Sequence, residues 1–273
     1  MRKQLALLKI SVTIFSILCL TACSGYAISS EEEALQKGVA SIKNGKFDEA
    51  IAEFNGAIEL KSNYADAYAY RGLAYAAKRD FDRAISDFNK AIEINPSHSQ
   101  AYSNRGAIYV MKGNIEQAIL DLSKTIELSP NNSEAYSNRG AAYDKKGEID
   151  KSILDYNKAI EIKPNSSQGY NNRGFAYYKK GKFDQAIIDY DTSIKLAPHH
   201  STSYYNRGLA YYSAGQYEKA LADYEYAIEM NPDRDCYDEF VKFVPEKKST
   251  DTTNAREEII RIFKEKIDLT EKK

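Results

Sequence analysis

The sequence predicts an all-α fold, a solenoid of six helical hairpins with helices that cap its C-terminal end. An arginine-glycine pair recurs with a strict period of thirty-four places, with a tyrosine three places before the arginine and another four places after it. Apolar and aromatic residues fall at helical spacing around each pair, as in Tyr136, Gly140 and Tyr143. The pairs are Arg71-Gly72, Arg105-Gly106, Arg139-Gly140, Arg173-Gly174 and Arg207-Gly208.

Residues 1–22 predict a signal peptide rather than part of the fold, because a basic start is followed by the apolar stretch from Ile10 to Leu20. Leu20-Thr21-Ala22-Cys23 then resembles a bacterial lipobox, in which the cysteine is acylated, here with palmitate, and becomes the mature N-terminus. The alternative is an ordinary secretory signal with a chance cysteine. Residues 23–30 would form the lipidated tether. Ser24, which is not aspartate, favours an outer-membrane location facing the periplasm in a Gram-negative source.

The mature chain would be mildly acidic. The formal charge of the whole chain is −1, and loss of the three basic residues in 1–22 would make it −4. This charge argues against nucleic-acid binding, which needs a net basic surface. With Cys19 removed and Cys23 acylated, only Cys236 would remain, so no intramolecular disulfide is expected.

Counting back from the glycines divides residues 31–234 into six repeats, 31–64, 65–98, 99–132, 133–166, 167–200 and 201–234. Each should hold two amphipathic helices joined at a residue with left-handed backbone, a conformation that suits glycine. The turn glycines are Gly45, Gly113, Gly147, Gly181 and Gly215. Arg79 takes this place in the second repeat, and Ser62 replaces the proline that ends the other repeats, so we expect the first two repeats to be the loosest.

A second set of glycines lies inside the first helix of each repeat, where glycine costs about 1 kcal/mol relative to alanine. Close approach of the second helix is the simplest reason for six such glycines. They are Gly38, Gly72, Gly106, Gly140, Gly174 and Gly208. The small residues expected to face them are Ala50, Ala84, Ala118, Ser152, Ala186 and Ala220. A large residue follows four places later, at Phe54, Phe88, Leu122, Tyr156, Tyr190 and Tyr224.

This pattern resembles the tetratricopeptide repeat, which has small residues at places eight and twenty, aromatic residues at eleven and twenty-four, and proline at thirty-two. The resemblance implies a right-handed superhelix whose concave face is lined by the first helices. It also implies a scaffold that binds proteins or peptides. After the repeats, residues 235–244 predict a capping helix, and residues 245–273 predict a linker followed by an amphipathic helix at 254–268.

The sequence contains none of the common catalytic motifs that we sought. It has no phosphate-binding glycine loop of the G-x-x-x-x-G-K-[ST] type, no H-E-x-x-H and no C-x-x-C. His98, His199 and His200 lie near repeat boundaries and are interpreted as loop residues rather than metal ligands. We therefore predict no enzyme activity, no cofactor and no metal.

Two charged residues recur together, the arginine beside each packing glycine and an aspartate in the second helix. One hypothesis pairs each arginine with the acid of the preceding repeat, which would fix the stacking register. The other treats the arginines as a basic stripe that grips an acidic ligand. The aspartates are Asp87, Asp121, Asp155, Asp189 and Asp223.

The resemblance also implies a binding groove, which would be aromatic in the fifth and sixth repeats. Its candidate residues are Asn171, Phe175, Tyr178, Lys179, Tyr205, Leu209 and Tyr212, with the sixth-place asparagines Asn104, Asn138, Asn172 and Asn206 as partners for a peptide backbone. Exposed aromatic side chains of this kind typically anchor partners. The alternative occupant of the groove is the C-terminal helix itself.

These features predict a membrane-anchored scaffold of the bacterial cell envelope that binds a protein or extended peptide. Its role would be pilotin-like, or that of an adaptor for peptidoglycan enzymes. The alternative is a structural envelope lipoprotein that self-associates through its repeats and has no dedicated ligand.

Overall fold

A computed structural model describes residues 28–230 and 255–271, which form thirteen α-helices and no strand. The helices are α1 (Ser30–Lys43), α2 (Phe47–Leu60), α3 (Ala65–Ala77), α4 (Phe81–Ile94), α5 (Ser99–Lys112), α6 (Ile115–Leu128), α7 (Ser133–Lys146), α8 (Ile149–Ile162), α9 (Ser167–Lys179), α10 (Phe183–Leu196), α11 (Ser201–Ser213), α12 (Tyr217–Met230) and α13 (Ala255–Glu271). The predicted all-α repeat fold is confirmed. The signal peptide, Cys23 and the predicted capping helix at 235–244 lie outside the described residues.

The chain divides into two compact halves, Met1–Ser129 and Pro130–Lys273. In the described part of each half, consecutive helices pack as hairpins, from α1 with α2 in the first half to α11 with α12 in the second. The second helix of one hairpin also packs against the first helix of the next, as α10 does against α11. None of the thirteen helices in these ranges is long and apolar enough to cross a membrane.

The turn inside each hairpin has the backbone that its sequence predicts. All five turn glycines have φ between +71° and +83°. At Gly181, for example, the next amide, Lys182 N, donates to Tyr177 O at 2.9 Å, which closes the end of α9. Arg79 adopts φ +65° and is the only described residue other than glycine with positive φ. The second repeat therefore makes the same turn with a side chain that disfavours it.

The packing glycines allow the two helices of a hairpin to approach closely, as predicted. A Cβ atom added to Gly38 would lie 2.5 Å from Phe54 Cε1, and at Gly174 it would lie 2.8 Å from Tyr190 Cε1. Both rings are fully buried. The sixth glycine, Gly208, is less crowded, since its nearest neighbour would be Ala220 O at 3.3 Å. Contact with the large residue at place twenty-four explains the other five glycines.

The recurring arginines pair with aspartates of a different repeat from the one predicted. Arg71 donates from Nε and Nη2 to the two carboxylate oxygens of Asp87, at 2.8 and 2.7 Å, and both residues belong to the same repeat. Its third donor, Nη1, reaches the preceding repeat at Asn55 Oδ1, 2.6 Å away. The hypothesis that the acid comes from the preceding repeat is therefore wrong for the bidentate pair, although Arg207 Nη1 also reaches Asp191 Oδ1 of the preceding repeat at 2.5 Å. The same pairing joins Arg105 to Asp121, Arg139 to Asp155, Arg173 to Asp189 and Arg207 to Asp223, at 2.6–2.8 Å.

At four of the five arginines, the tyrosines that flank the arginine in the sequence also flank its guanidinium group in space; at Arg71 only Tyr68 does so, and Tyr75 lies against Arg83. The Arg173 Cζ atom lies 5.5 Å from the ring centroid of Tyr170 and 6.0 Å from that of Tyr177. Spacings of three and four places put both rings on the same side of the helix as the arginine. The motif that defines the repeat is thus a cation held between two rings and neutralised by a buried carboxylate.

Candidate peptide-binding surface

Three of the predicted groove residues, together with an aspartate of α7, form a partly exposed cluster on α9 and α7. Phe175 and Tyr178 stack with their ring centroids 6.3 Å apart and their planes 15° apart. Lys179 Nζ lies 4.7 Å from the centre of the Phe175 ring and 2.6 Å from Asp144 Oδ2 on α7. Ser213 Oγ donates to the Tyr178 hydroxyl at 3.3 Å. Phe175, Tyr178, Lys179 and Asp144 are called the aromatic-lysine cluster below.

Asp144 is a member of this cluster that the sequence analysis missed. It holds the twelfth place of the fourth repeat, one of the places that face the groove in the family, so the same rule applied to that repeat would have found it. Its Oδ1 atom is buried and has no hydrogen-bond donor among the described residues. Burial, followed by the charges of Asp144 and Asp155, raises the pKa of the Tyr156 phenol above its ordinary value. Asp144 thus places negative charge beside an otherwise apolar region.

Two of the predicted groove asparagines are buried between repeats rather than exposed. Asn171 is 5% exposed and Asn206 is 9% exposed. Asn206 Nδ2 donates to Asn171 Oδ1 at 3.1 Å, and Ser203 Oγ donates to the same oxygen at 3.4 Å. The prediction that Asn171 and Asn206 are exposed is wrong, because their side-chain amides form a hydrogen bond between α9 and α11.

The other asparagines are partly exposed. Asn104 Oδ1 accepts from Gln100 Nε2 at 2.9 Å, and Asn172 Oδ1 accepts from Gln168 Nε2 at 2.6 Å. Asn138 is also half-buried. The role of these three in holding a peptide backbone stays a prediction.

The aromatic residues of the sixth repeat are covered more than the sequence predicts. Tyr205 is 4% exposed and Leu209 is 2% exposed, and both belong to a buried cluster that includes Ile262 and Phe263 of α13. Tyr212 meets the Phe263 ring edge-on, with the centroids 5.5 Å apart. The expectation that Tyr205 and Leu209 are exposed is therefore wrong. The C-terminal helix, predicted at 254–268, contributes directly to this cluster.

The described residues contain no group of three or more histidine, cysteine, aspartate or glutamate side chains arranged to hold a metal ion. The surface instead combines stacked rings, an ammonium group and a carboxylate. These groups can bind a peptide through apolar contact and paired charges.

Models of one repeat family match the chain in overlapping segments. Models described as tetratricopeptide repeat match residues 65–98, 88–119 and 175–239. Another, described as TPR repeat, matches residues 38–78, 108–147 and 145–181. The chain belongs to the tetratricopeptide repeat family. Repeats of this family generally serve as protein-interaction scaffolds.

Solved structures with the same fold include one described as a functional characterization of Pseudomonas aeruginosa pilF, with TM-score 0.69 and 17% identity over 77% of this chain and 96% of that one. YrrB, described as a TPR protein with an unusual peptide-binding site, gives TM-score 0.56 and 24% identity over 67% of this chain and 94% of that one. MamA gives TM-score 0.53 and 28% identity over 58% and 93%. A search of curated protein sequences found no match.

Proposed function

We propose that this tetratricopeptide repeat protein is a lipid-anchored adaptor of the bacterial cell envelope that holds a protein or extended peptide on its first helices. The observation that carries the proposal is the aromatic-lysine cluster. Stacked Phe175 and Tyr178 offer apolar contact, and Lys179 and Asp144 offer paired charges beside them. Aromatic side chains next to charged groups are typical anchors in protein interfaces.

The anchor in this proposal is Cys23. More than one acyl chain on a mature N-terminal cysteine gives stable membrane attachment. The helix α1 begins at Ser30, so the tether would span at most about 25 Å. The repeats would then hold a partner close to the outer membrane on its periplasmic side. Proximity is the mechanism, because tethering raises the local concentration of the partner beside membrane machinery.

The anchor is tested by Cys23→Ser. We expect the wild-type chain to incorporate a clickable palmitate analogue and to sediment with membranes, and the variant to do neither. Globomycin should block maturation of the wild-type precursor. Unchanged membrane attachment of Cys23→Ser would show that the lipobox is not used.

Two roles fit an anchored groove, the assembly of a pilus secretin by a pilotin-like protein and the positioning of peptidoglycan enzymes. The likeness to Pseudomonas aeruginosa pilF supports the shared fold alone at 17% identity. Both roles require a partner at the membrane that contacts the aromatic-lysine cluster.

A crosslinking pull-down from membranes tests the groove. The informative variant is Phe175→Ala with Lys179→Ala, since both side chains are partly exposed and their removal leaves the buried core intact. A matched control is Leu60→Ala with Leu196→Ala, because these side chains are 60% and 39% exposed at the ends of second helices and belong to neither proposed contact surface. We expect the groove variant to lose the captured protein and the control to keep it. The same capture by all three chains would contradict the proposal.

Self-association is a second candidate, and one observation favours it. Leu154 and Ile188 occupy the same place in two consecutive repeats of the second half of the chain and are 67% and 63% exposed. Exposed aliphatic side chains at a regular position are typical of a contact surface. Light scattering of the mature domain over a concentration series tests this candidate. Growth in mass that Leu154→Asp with Ile188→Asp abolishes would favour self-assembly over the adaptor.

A further inference from the structure

Ile262 and Phe263 of the C-terminal helix α13 cover the aromatic end of the groove. Of its residues 261–269, only Ile262 and Phe263 are buried, at 7% and 0% exposure. The Phe263 ring meets the Tyr212 ring edge-on at 5.5 Å and lies 6.2 Å from the Tyr224 ring. This surface therefore accommodates a helix that carries an aliphatic residue next to an aromatic one.

Within residues 261–269 of this helix of 17 residues, Ile262 and Phe263 are buried, and Lys266 and Ile267 are partly buried. Arg261, Lys264, Glu265, Asp268 and Leu269 are exposed on it. By contrast, α11 buries six residues, which are Ser203, Tyr205, Asn206, Gly208, Leu209 and Ala210. Burial that is concentrated on one adjacent pair in this stretch fits a helix that can leave and return more readily than a helix inside the stack.

The covalent connection of α13 to the repeats explains how a small contact can keep the surface occupied. Residues 231–254 connect α12 to α13. Because α13 belongs to the same chain, it binds as an intramolecular ligand, and such ligands reach effective concentrations on the order of 1 mM. If a free α13 peptide bound with a Kd of about 100 μM, the tethered copy would occupy the surface roughly nine-tenths of the time.

The covered surface continues toward the aromatic-lysine cluster. Tyr178 is partly buried against the same cluster that contains Tyr205, Leu209 and Phe263, and on its other side it stacks with Phe175. A helix that carries further apolar residues beyond an aliphatic-aromatic pair would contact this region as well. Such a helix has contacts available beyond those of α13, which is the condition for displacing it.

We propose that α13 is a displaceable internal ligand, and that the partner of this protein presents an amphipathic helix with adjacent aliphatic and aromatic residues to the same surface. This inference rests on the proposed adaptor function and names the chemistry and the regulation of its site. The resting protein is autoinhibited. A partner helix gains access by competing with α13.

The test uses the full chain and a fluorescein-labelled peptide of residues 255–271, with binding followed by fluorescence anisotropy. Phe263→Asp in the chain removes the anchor of the tethered helix. Leu269→Asp makes the same kind of change on the same helix at a position that is 58% exposed. We expect Phe263→Asp to tighten peptide binding about tenfold relative to the wild type, and Leu269→Asp to leave it unchanged. A peptide with alanine at the Phe263 position should not bind any of the chains.

Equal peptide affinities of the wild-type and Phe263→Asp chains, with unchanged circular dichroism, would overturn the proposal. If Phe263→Asp instead unfolds the sixth repeat, the deciding measurement is hydrogen exchange on the wild-type chain. Excess unlabelled peptide should then accelerate exchange of the α13 amides, and unchanged exchange would show that α13 is a fixed part of the fold. A wild-type chain that is dimeric by light scattering, and becomes monomeric in Phe263→Asp, would show that the occupant is a second copy. Because no envelope partner enters these assays, a failed pull-down and a failed displacement are distinguishable.

Discussion

Two glycines of the first hairpin provide a sharp test of the packing argument. Gly38 lies in α1, and a Cβ atom there would be 2.5 Å from Phe54 Cε1 and 2.8 Å from Cδ1 and Cζ. Gly56 lies in α2, and a Cβ atom there would meet nothing within 4 Å. Both positions are helical, so alanine should gain about 1 kcal/mol of helix propensity at either.

The difference between the two variants comes from Phe54, which cannot move away easily. Its ring is fully buried and stacks on Tyr70 of α3 at a centroid distance of 5.9 Å. Overpacking a core costs about 1–3 kcal/mol, and a contact as short as 2.5 Å belongs at the upper end of that range. We expect Gly56→Ala to stabilise the hairpin by about 1 kcal/mol and Gly38→Ala to destabilise it by about 2 kcal/mol.

Native-state hydrogen exchange of the α1 and α2 amides is the suitable assay, because repeat proteins open locally and one global free energy of unfolding does not describe them. Protection should rise in Gly56→Ala and fall in Gly38→Ala, with the amides of α9 to α12 unchanged in both. If both variants gained protection equally, the helices would tolerate an added methyl group between them, and close approach would not explain the six glycines.

Three further predictions address single side chains. Arg139→Leu should destabilise the fourth repeat by about 3–5 kcal/mol, since Asp155 would remain buried without its cation. Chemical denaturation measures this loss of stability. A loss of ligand binding at unchanged stability would instead support the hypothesis that the arginines grip an acidic ligand. Arg79→Gly should raise the melting temperature by relieving about 1 kcal/mol of left-handed strain, and a lower melting temperature would contradict that strain. Burial raises the pKa of Glu134 above its ordinary 4.5, so its proton stabilises the fold at low pH and this contribution disappears as pH rises through the folded-state pKa. Glu134→Gln should therefore raise the melting temperature at pH 7 and lose this advantage below about pH 4, and an equal effect at both pH values would exclude titration as the cause.

Most of the fold could be predicted from the sequence because each repeat presents the same local physics. Glycine at a turn needs left-handed backbone, and glycine inside a helix opposite a large side chain needs close approach; both hold at Gly181 and Gly174. These rules act over at most a few turns of helix. The strict period of the chain repeats them often enough to exclude coincidence.

The aspartate that pairs with each arginine could not be predicted from spacing alone. Arg105 has one aspartate after it in the chain, Asp121, and another before it, Asp87, at similar separations. Helical periodicity offers both, and only the antiparallel packing of α5 against α6 brings Asp121 to Arg105 Nη2, at 2.7 Å. Which aspartate pairs with Arg105 depends on distances in the folded chain, and the repeat period in the sequence does not give those distances.

Whether the C-terminal helix covers the end of the groove could not be decided from the sequence, for a related reason. A helical pattern shows which side of α11 is apolar, and it cannot show what lies against that side. Tyr205 and Leu209 are buried in a cluster to which Phe263 contributes from α13, beyond the last repeat of the chain. The sequence analysis left the C-terminal helix open as an occupant, and the contact between Tyr212 and Phe263 supports that alternative.

The pairing of each arginine with an aspartate of its own hairpin has a consequence for the length of the array. The second to sixth repeats each carry both members of the bidentate ion pair, as Arg173 and Asp189 do. Duplicating or excising one whole block would therefore keep the bidentate aspartate of each arginine. It would change contacts between neighbouring blocks, such as Arg173 with Asn157 and Arg207 with Asp191. Because each such repeat keeps its own ion pair, repeats can be added or removed, and an array that binds a longer or shorter partner needs only a small genetic change.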